Sequence, residues 1–182
     1  GVADVSGKGI KSSLLMSKAS SLYRCLSKTI FSASSLLKIL NDEICETTTR
    51  GMFVTMIVGV YDKNKNELLL SNAGHEPPLI FSSDGNFKTI DEAGPPLGIA
   101  PNFKFTEQTI SFKESSMYIF TDGITEMKNT NGDMLGQEGF QDYIKKYQST
   151  PNNKRLQKII EDLISSGRIQ KDDLTIVTVD GK

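Results

Sequence analysis

"MFVTMIVGVYD", residues 52–62, is a run of β-branched, aromatic and other apolar residues with no polar face. A strand with one face in water alternates apolar and polar residues, whereas a strand covered on both faces need not. "DKNKN" (62–66) supplies a turn and "ELLLSNAG" (67–74) a return strand, so residues 52–73 are expected to form a β-hairpin with a layer on each side.

Upstream of the hairpin the period changes. Between about Lys8 and Lys28, Leu15, Ala19, Leu22 and Leu26 recur at steps of four, three and four, the stripe of an amphipathic helix. From about Ser34 to Thr47 a second helix puts Leu36, Leu37, Leu40 and Ile44 on one side, with serines available as caps. Downstream, short strands are expected at 78–82 and 87–90 around the turn "SSDGN", then in "FKFTEQTISF" (103–112) and "SMYIFTDG" (116–123). After the loop "NTNGDMLG" come helices at about Gln137–Tyr147 and Asn153–Ser166 and a last strand, "LTIVTV" (174–179). Helices flanking a run of antiparallel strands point to an α+β domain and not to a doubly wound parallel sheet.

The chain has 182 residues, an ordinary length for one domain with a substantial core. Its 21 Lys and Arg against 22 Asp and Glu leave a net charge of -1, so no broad positive field favours nucleic acid or an acidic membrane surface. No apolar run approaches the roughly 18 residues that cross a bilayer. The two cysteines, Cys25 and Cys45, fit buried thiols in a reducing cytoplasm better than a secreted disulfide scaffold. The opening "GVADV", without an initiator Met, reads as the tail of a strand in a fragment of a longer protein, any membrane anchor lying outside it.

"DVSGKGI" (4–10) has the look of a phosphate loop and fails the test for one. A P-loop needs a hydroxyl residue after Gly-Lys and a glycine five positions before it; here Gly9 follows Lys8, and Val2 stands five before Gly7. What remains is Asp4 on an apolar stub, a glycine turn and a helix. Asp122 after "SMYIFT" and the pair Asp172 and Asp173 before "LTIVTV" share that setting where a strand meets a loop. Rigid strand ends can bring distant carboxylates to one rim, where they need a cation between them. Hard oxygen donors suit magnesium or manganese. With one histidine and two cysteines, a zinc site is poorly supported.

"DVSGKGIKSSLLM", "NAGHEPPLI", "GPPLGI", "TDGITEMKNTNGDMLG" and "DDLTIV" together resemble, in order and spacing, the SpoIIE-like branch of the bacterial metal-dependent (PPM-type) serine/threonine protein phosphatases. The resemblance covers nearly the whole chain. It implies a four-layer α-β-β-α sandwich of two antiparallel sheets, here without its leading strands, as a single phosphatase-like domain over residues 1–182. It also implies two Mn2+ or Mg2+ ions held by Asp4, the Val5 carbonyl, Asp122 and Asp172, with Asp173 the alternative to Asp172. The turn at Gly7 and Gly9 would bend the backbone away from Asp4 and open a helix whose free amides face the anionic centre and its phosphate.

The implied reaction is hydrolysis of phosphoserine or phosphothreonine in a regulatory protein, such as an anti-sigma-factor antagonist, by a metal-bound hydroxide. No covalent intermediate is required, and no Cys-x5-Arg loop exists: Phe31 and Gly51 follow Cys25 and Cys45 at the sixth position. The implied setting is the bacterial cytoplasm, in signal transduction, with a sensor or receiver domain upstream. His75, the only histidine, is a candidate general acid or a residue making a structural hydrogen bond. Lys8 and Glu126 are expected to be solvated, "NTNGDMLG" to be a turn, and Met16 and Tyr23 to belong to the core. A different functional class, a catalytically inactive phosphatase-like module that binds a signalling partner, need not keep Asp4, Asp122 and Asp172.

Lys11 and Ser12 stand where many relatives have Pro-Ala, a change the helix should tolerate. Relatives also carry, before "DVSG", a "GGD" segment whose aspartate ligates one metal. The chain from Gly1 onward is therefore expected to bind metal weakly at the first site. Calorimetric titration with manganese checks this, and tight binding of two ions contradicts it.

Overall fold

The computed structural model describes residues 1–47, 51–111 and 114–181. The chain divides into two compact units, one of Gly1–Pro77 with Asp91–Lys113 and the other of Pro78–Ile90 with Glu114–Gly181.

In the first unit, strands β1 (Val2–Val5), β2 (Val54–Asp62), β3 (Glu67–Ala73) and β6 (Gln108–Ser111) form an antiparallel sheet in the order β1-β2-β3-β6. The expected hairpin is β2–β3, with Asp62 opposite Glu67 at its turn end and Met56 opposite Ala73 at the other. Of the strand expected over 103–112, only Gln108–Ser111 is strand, as β6; residues 103–107 are irregular, and 112 lies outside the described residues. Val54, Met56 and Val58 pack on helices α1 (Ile10–Leu26) and α2 (Ala33–Thr47), while Ile57, on the opposite face of β2, is equally buried. The strand is thus covered on both faces at Ile57, but not toward the turn, where Gly59 and Tyr61 are exposed.

The two helices match their stripes. Leu36, Leu37, Leu40 and Ile44 of α2 are buried, as are Leu15 and Ala19 of α1, with Leu22, Tyr23 and Leu26 packed against the same core. Each fully buried leucine or isoleucine contributes about 1.5–3 kcal/mol of transfer free energy. Helix α1 starts two residues later than Lys8 because Gly9 has φ +90°, outside the helical region. Asn41 is the polar residue hidden within α2: its Nδ2 donates to Ala100 O at 2.8 Å and its Oδ1 accepts from Gly98 N at 3.1 Å. These bonds attach the "GPPLGIAPN" segment to the helix, and Leu97 in that segment exchanges backbone hydrogen bonds with Val54.

In the second unit, β4 (Leu79–Ser82), β5 (Phe87–Thr89), β7 (Ser115–Phe120) and β8 (Ile176–Asp180) form an antiparallel sheet in the order β5-β4-β7-β8. Tyr118 and Phe120 of β7 meet Phe140 of α4 (Gly136–Lys146) edge to face, and α5 (Asn152–Ser165) adds Ile159 and Leu163 to that core. The loop at 129–136 closes as a turn in which Asn129 Oδ1 accepts from the amides of Asn131 and Asp133.

Arg155 of α5 reaches from its helix to the sheet. Its guanidinium donates to Tyr118 Oη at 3.0 Å, Ser116 Oγ at 3.3 Å and Asp180 Oδ1 at 3.3 Å, and its side chain is only 11% exposed. Removing it leaves a largely buried carboxylate and hydroxyl without their cation, a more costly change than losing an exposed ion pair. Arg155→Ala is expected to lower unfolding free energy by about 2–4 kcal/mol in urea denaturation, with Arg155→Lys intermediate because an ammonium cannot reproduce the fork.

Candidate functional site

Asp4 is the third residue of β1 and pairs across the ladder with Thr55. Its Oδ1 accepts a hydrogen bond from the next amide, Val5 N, at 2.9 Å, which fixes the carboxylate against the following peptide. Beyond Val5 the ladder ends in a modified pair. Ser6 N donates to Phe53 O at 2.9 Å, but Phe53 N donates to the hydroxyl of Ser6 at 2.8 Å and not to its carbonyl. The Ser6 carbonyl is thereby released to accept from Ser12 Oγ, at 3.1 Å, one turn into α1. Gly7 and Gly9 stand at φ +79° and +90°, where side chains with a Cβ are disfavoured, and they turn the chain between β1 and α1. The helix opens with no side-chain cap and no acid in its first turn, leaving its amide end available to an anion.

The second unit repeats the device. Thr121 N donates to Thr175 O at 3.2 Å, while Thr175 N donates to the hydroxyl of Thr121, also at 3.2 Å. The Thr121 carbonyl is released to accept from Ile124 N inside α3 (Asp122–Thr125), and the ladder of β8 therefore begins at Ile176, two residues later than "LTIVTV" suggests. Asp122 is accordingly the first residue of a short helix and not the end of a strand. Thr121 is buried, and its hydroxyl also lies 3.2 Å from Asp173 O.

The next residue is Gly123, and a Cβ placed there would stand 2.2 Å from Asp173 O. Only glycine lets the start of α3 lie directly against the backbone of Asp172 and Asp173. Asp122 and the Asp172–Asp173 segment are therefore neighbours, as their shared setting in the sequence suggests. Asp172 Oδ1 accepts from Asp173 N at 2.9 Å, and its carbonyl accepts from Gln170 Nε2 at 2.9 Å. Asp4 and Asp122 are half-buried, whereas Asp172 and Asp173 are exposed.

The donors supplied by each unit are carboxylate and carbonyl oxygens, the hard ligands that magnesium and manganese take. Among the described residues no group of three or more His, Cys, Asp or Glu side chains is assembled as a set able to hold a metal ion. Taken unit by unit, the donors are of that hard type: Asp4 and the Val5 carbonyl at the end of β1 in the first unit, and the Asp122 and Asp172 carboxylates in the second.

The expected pair of buried thiols is not found: Cys25, on the outer face of α1, is exposed, and Cys45 is only partly covered. Cys45 is half-buried, its thiol lies 3.6 Å from Asn41 Oδ1, and burial pushes its pKa up, away from the reactive thiolate. His75 is buried, with Nδ1 3.1 Å from Thr55 Oγ1. Lys8 and Glu126 are exposed as expected. Thr55, Ser6 and Thr121 escaped the reading of the sequence. The only signal was a hydroxyl residue two places after Asp4 and immediately before Asp122, and serine and threonine are too common in loops for that to stand out.

Residues 1–182 match the family model described as Stage II sporulation protein E (SpoIIE). Phosphoserine phosphatase RsbU of Bacillus subtilis (strain 168) is 29% identical over 181 residues, which cover 98% of this chain and 54% of that protein. The chain thus spans about half the length of that relative. Among solved structures, the SiaA-PP2C domain of Pseudomonas aeruginosa superposes with a TM-score of 0.84 at 14% identity, covering 99% of this chain and 74% of that one. The catalytic domain of the serine threonine protein phosphatase PstP, solved in complex with two manganese ions, superposes with a TM-score of 0.69 at 14% identity, covering 98% of this chain and 85% of that one. These two likenesses show the fold, an α+β arrangement of two antiparallel sheets with helices. With its family model matched from end to end, the chain belongs to the SpoIIE family, a branch of the PPM-type protein phosphatases.

Proposed function

We propose that residues 1–182 form one phosphatase domain that hydrolyses phosphoserine or phosphothreonine in a regulatory protein of a bacterial signalling pathway, with manganese or magnesium as cofactor. The observation that carries this reading is the contact at Gly123, which sets Asp122 against the Asp172–Asp173 backbone inside a family of phosphatases. RsbU, by its name a phosphoserine phosphatase, supports the substrate class. The two manganese ions of PstP support the cofactor.

In this reading Asp4, the Val5 carbonyl, Asp122 and Asp172 hold the ions. When bound, two divalent cations supply positive charge and Lewis acidity against the phosphoryl oxygens. The chain's own part is to orient and to bind. The backbone at Gly7 and Gly9 and the uncapped start of α1 offer amides and a positive helix end to the phosphate. The peptide amide of Val5 keeps the Asp4 carboxylate turned toward one side. Water is the attacking group in this reading, since neither Cys25 nor Cys45 is followed by the arginine of a cysteine phosphate loop.

No described helix is long and apolar enough to cross a membrane. We place the domain in the cytoplasm, acting on a soluble phosphoprotein under the control of a sensor or receiver domain elsewhere in the full protein.

The test is manganese-dependent hydrolysis of p-nitrophenyl phosphate by the full-length protein. Asp122→Asn is expected to lower kcat/KM by more than about 100-fold, beyond the 10–100-fold typical of a residue that only supports a ligand. Absence of activity in the wild type would instead point to a binding module, and retention of activity by the variant would remove Asp122 from the metal-ligand set. Gly123→Ala is expected to push the Asp172 segment away and lower kcat/KM at least about tenfold, with a higher manganese concentration needed for half-maximal rate.

A further inference from the structure

We infer that His75 and Thr55 are positioning residues for the candidate metal centre: they form a hydrogen-bonded relay that fixes the peptide plane between Asp4 and Val5. The inference rests on reading Asp4 and Val5 as metal ligands.

The relay begins with a histidine whose backbone is held on both sides. His75 N donates to Asn72 Oδ1 at 2.8 Å, and Asn72 Nδ2 donates to His75 O at 3.0 Å, so one buried amide side chain grips both polar groups of the residue. The preceding Gly74 has φ +67°, and a Cβ there would stand 2.7 Å from the ring of Pro96. The "NAGH" and "GPP" segments are thus pressed together in a way only glycine permits. The imidazole is buried, and its Nδ1 is 3.1 Å from Thr55 Oγ1.

Thr55 is the cross-strand partner of Asp4, and its hydroxyl lies 3.4 Å from the Asp4 carbonyl. A hydroxyl has one hydrogen to donate. If Thr55 gave it to His75 Nδ1, the Asp4 carbonyl would receive nothing from that oxygen. Both contacts are satisfied together when Nδ1 carries the hydrogen and donates to Thr55 Oγ1, and Thr55 in turn donates to Asp4 O. Each link then polarises the next.

The end of this relay is a planar unit. The Asp4 carbonyl and the Val5 N–H belong to the same rigid peptide. The carbonyl is held by Thr55, and the N–H is held on Asp4 Oδ1 at 2.9 Å. Fixing one edge of the plane fixes the other, and with it the direction of the Asp4 carboxylate and the position from which the Val5 carbonyl follows. His75 is therefore assigned a role through Thr55 and not as a general acid.

The experiment is calorimetric titration of the full-length protein with Mn2+ alone, alongside thermal melting without metal. Thr55→Val and His75→Gln are expected to weaken Mn2+ binding by about three- to tenfold, the effect of one neutral hydrogen bond. Their metal-free melting temperatures should move by less than about 3 °C. Thr55→Ser keeps the hydroxyl, and His75→Asn places an amide nitrogen close to the position of Nδ1, so both should bind Mn2+ within about twofold of wild type. Unchanged Mn2+ affinity in Thr55→Val, with affinity lost in Asp4→Asn, overturns the relay and leaves the ligand reading standing. Unchanged affinity in Asp4→Asn overturns both. If Thr55→Ser and His75→Asn fail as badly as Thr55→Val, packing and not hydrogen bonding is responsible, and the relay is wrong.

Discussion

A carboxylate is a directed ligand only when the backbone that carries it cannot turn, and a strand end is where backbone most easily turns. Both units meet this constraint by the same substitution. At the last pair of each ladder a hydroxyl stands in for a carbonyl: Ser6 Oγ takes the amide of Phe53, and Thr121 Oγ1 takes the amide of Thr175. The ladder keeps its grip, while the displaced carbonyl is released to the helix that follows, to Ser12 Oγ in one case and to Ile124 N in the other. Chain reversal and fixed geometry are obtained together. Asp4 lies two residues before its hydroxyl and Asp122 one residue after, so each carboxylate is within a peptide or two of a pinned point.

The rest of each unit supports those pinned points. In the first, α2 anchors the segment after "GPPL" through Asn41, and Leu97 of that segment pairs with Val54, the residue opposite Val5. In the second, Arg155 binds α5 to both β7 and β8, the two strands whose ends carry Asp122 and the Asp172–Asp173 segment. Buried polar side chains of this type are costly unless fully partnered. Asn41 thereby fixes the loop after Leu97, and Arg155 ties α5 to the end of the β7–β8 ladder opposite Asp122.

Much of this was legible from residues. The stripes of Leu15, Ala19, Leu22 and Leu26 and of Leu36, Leu37, Leu40 and Ile44 named both helices, because a 3.6-residue period marks a buried face whatever covers it. The hairpin followed from "DKNKN" between two β-rich runs, and both helices after the loop fell within a residue or so of their expected starts. Asp4, Asp122 and the pair Asp172 and Asp173 were singled out together by their common setting at strand ends, and the choice of Asp172 over Asp173 came from the family resemblance. What was not legible depended on partners far away in the chain. Nothing near Asp122 announces that a glycine at 123 faces the backbone of Asp173, or that Thr175 leaves the ladder for the hydroxyl of Thr121. Nothing near His75 names Thr55.

The sequence by itself determined which segments are helix or strand, which faces they bury and which residues bring hard oxygen chemistry, because periodicity, turn propensity and donor type are local properties. Only the tertiary structure decided how those donors are held: which hydroxyl replaces a ladder carbonyl, which glycine admits a neighbouring backbone, and which threonine joins His75 to the peptide after Asp4. Those choices are contacts across as many as 54 positions of chain, and a hydrogen bond over that separation exists only once the fold has set its two ends about three ångströms apart.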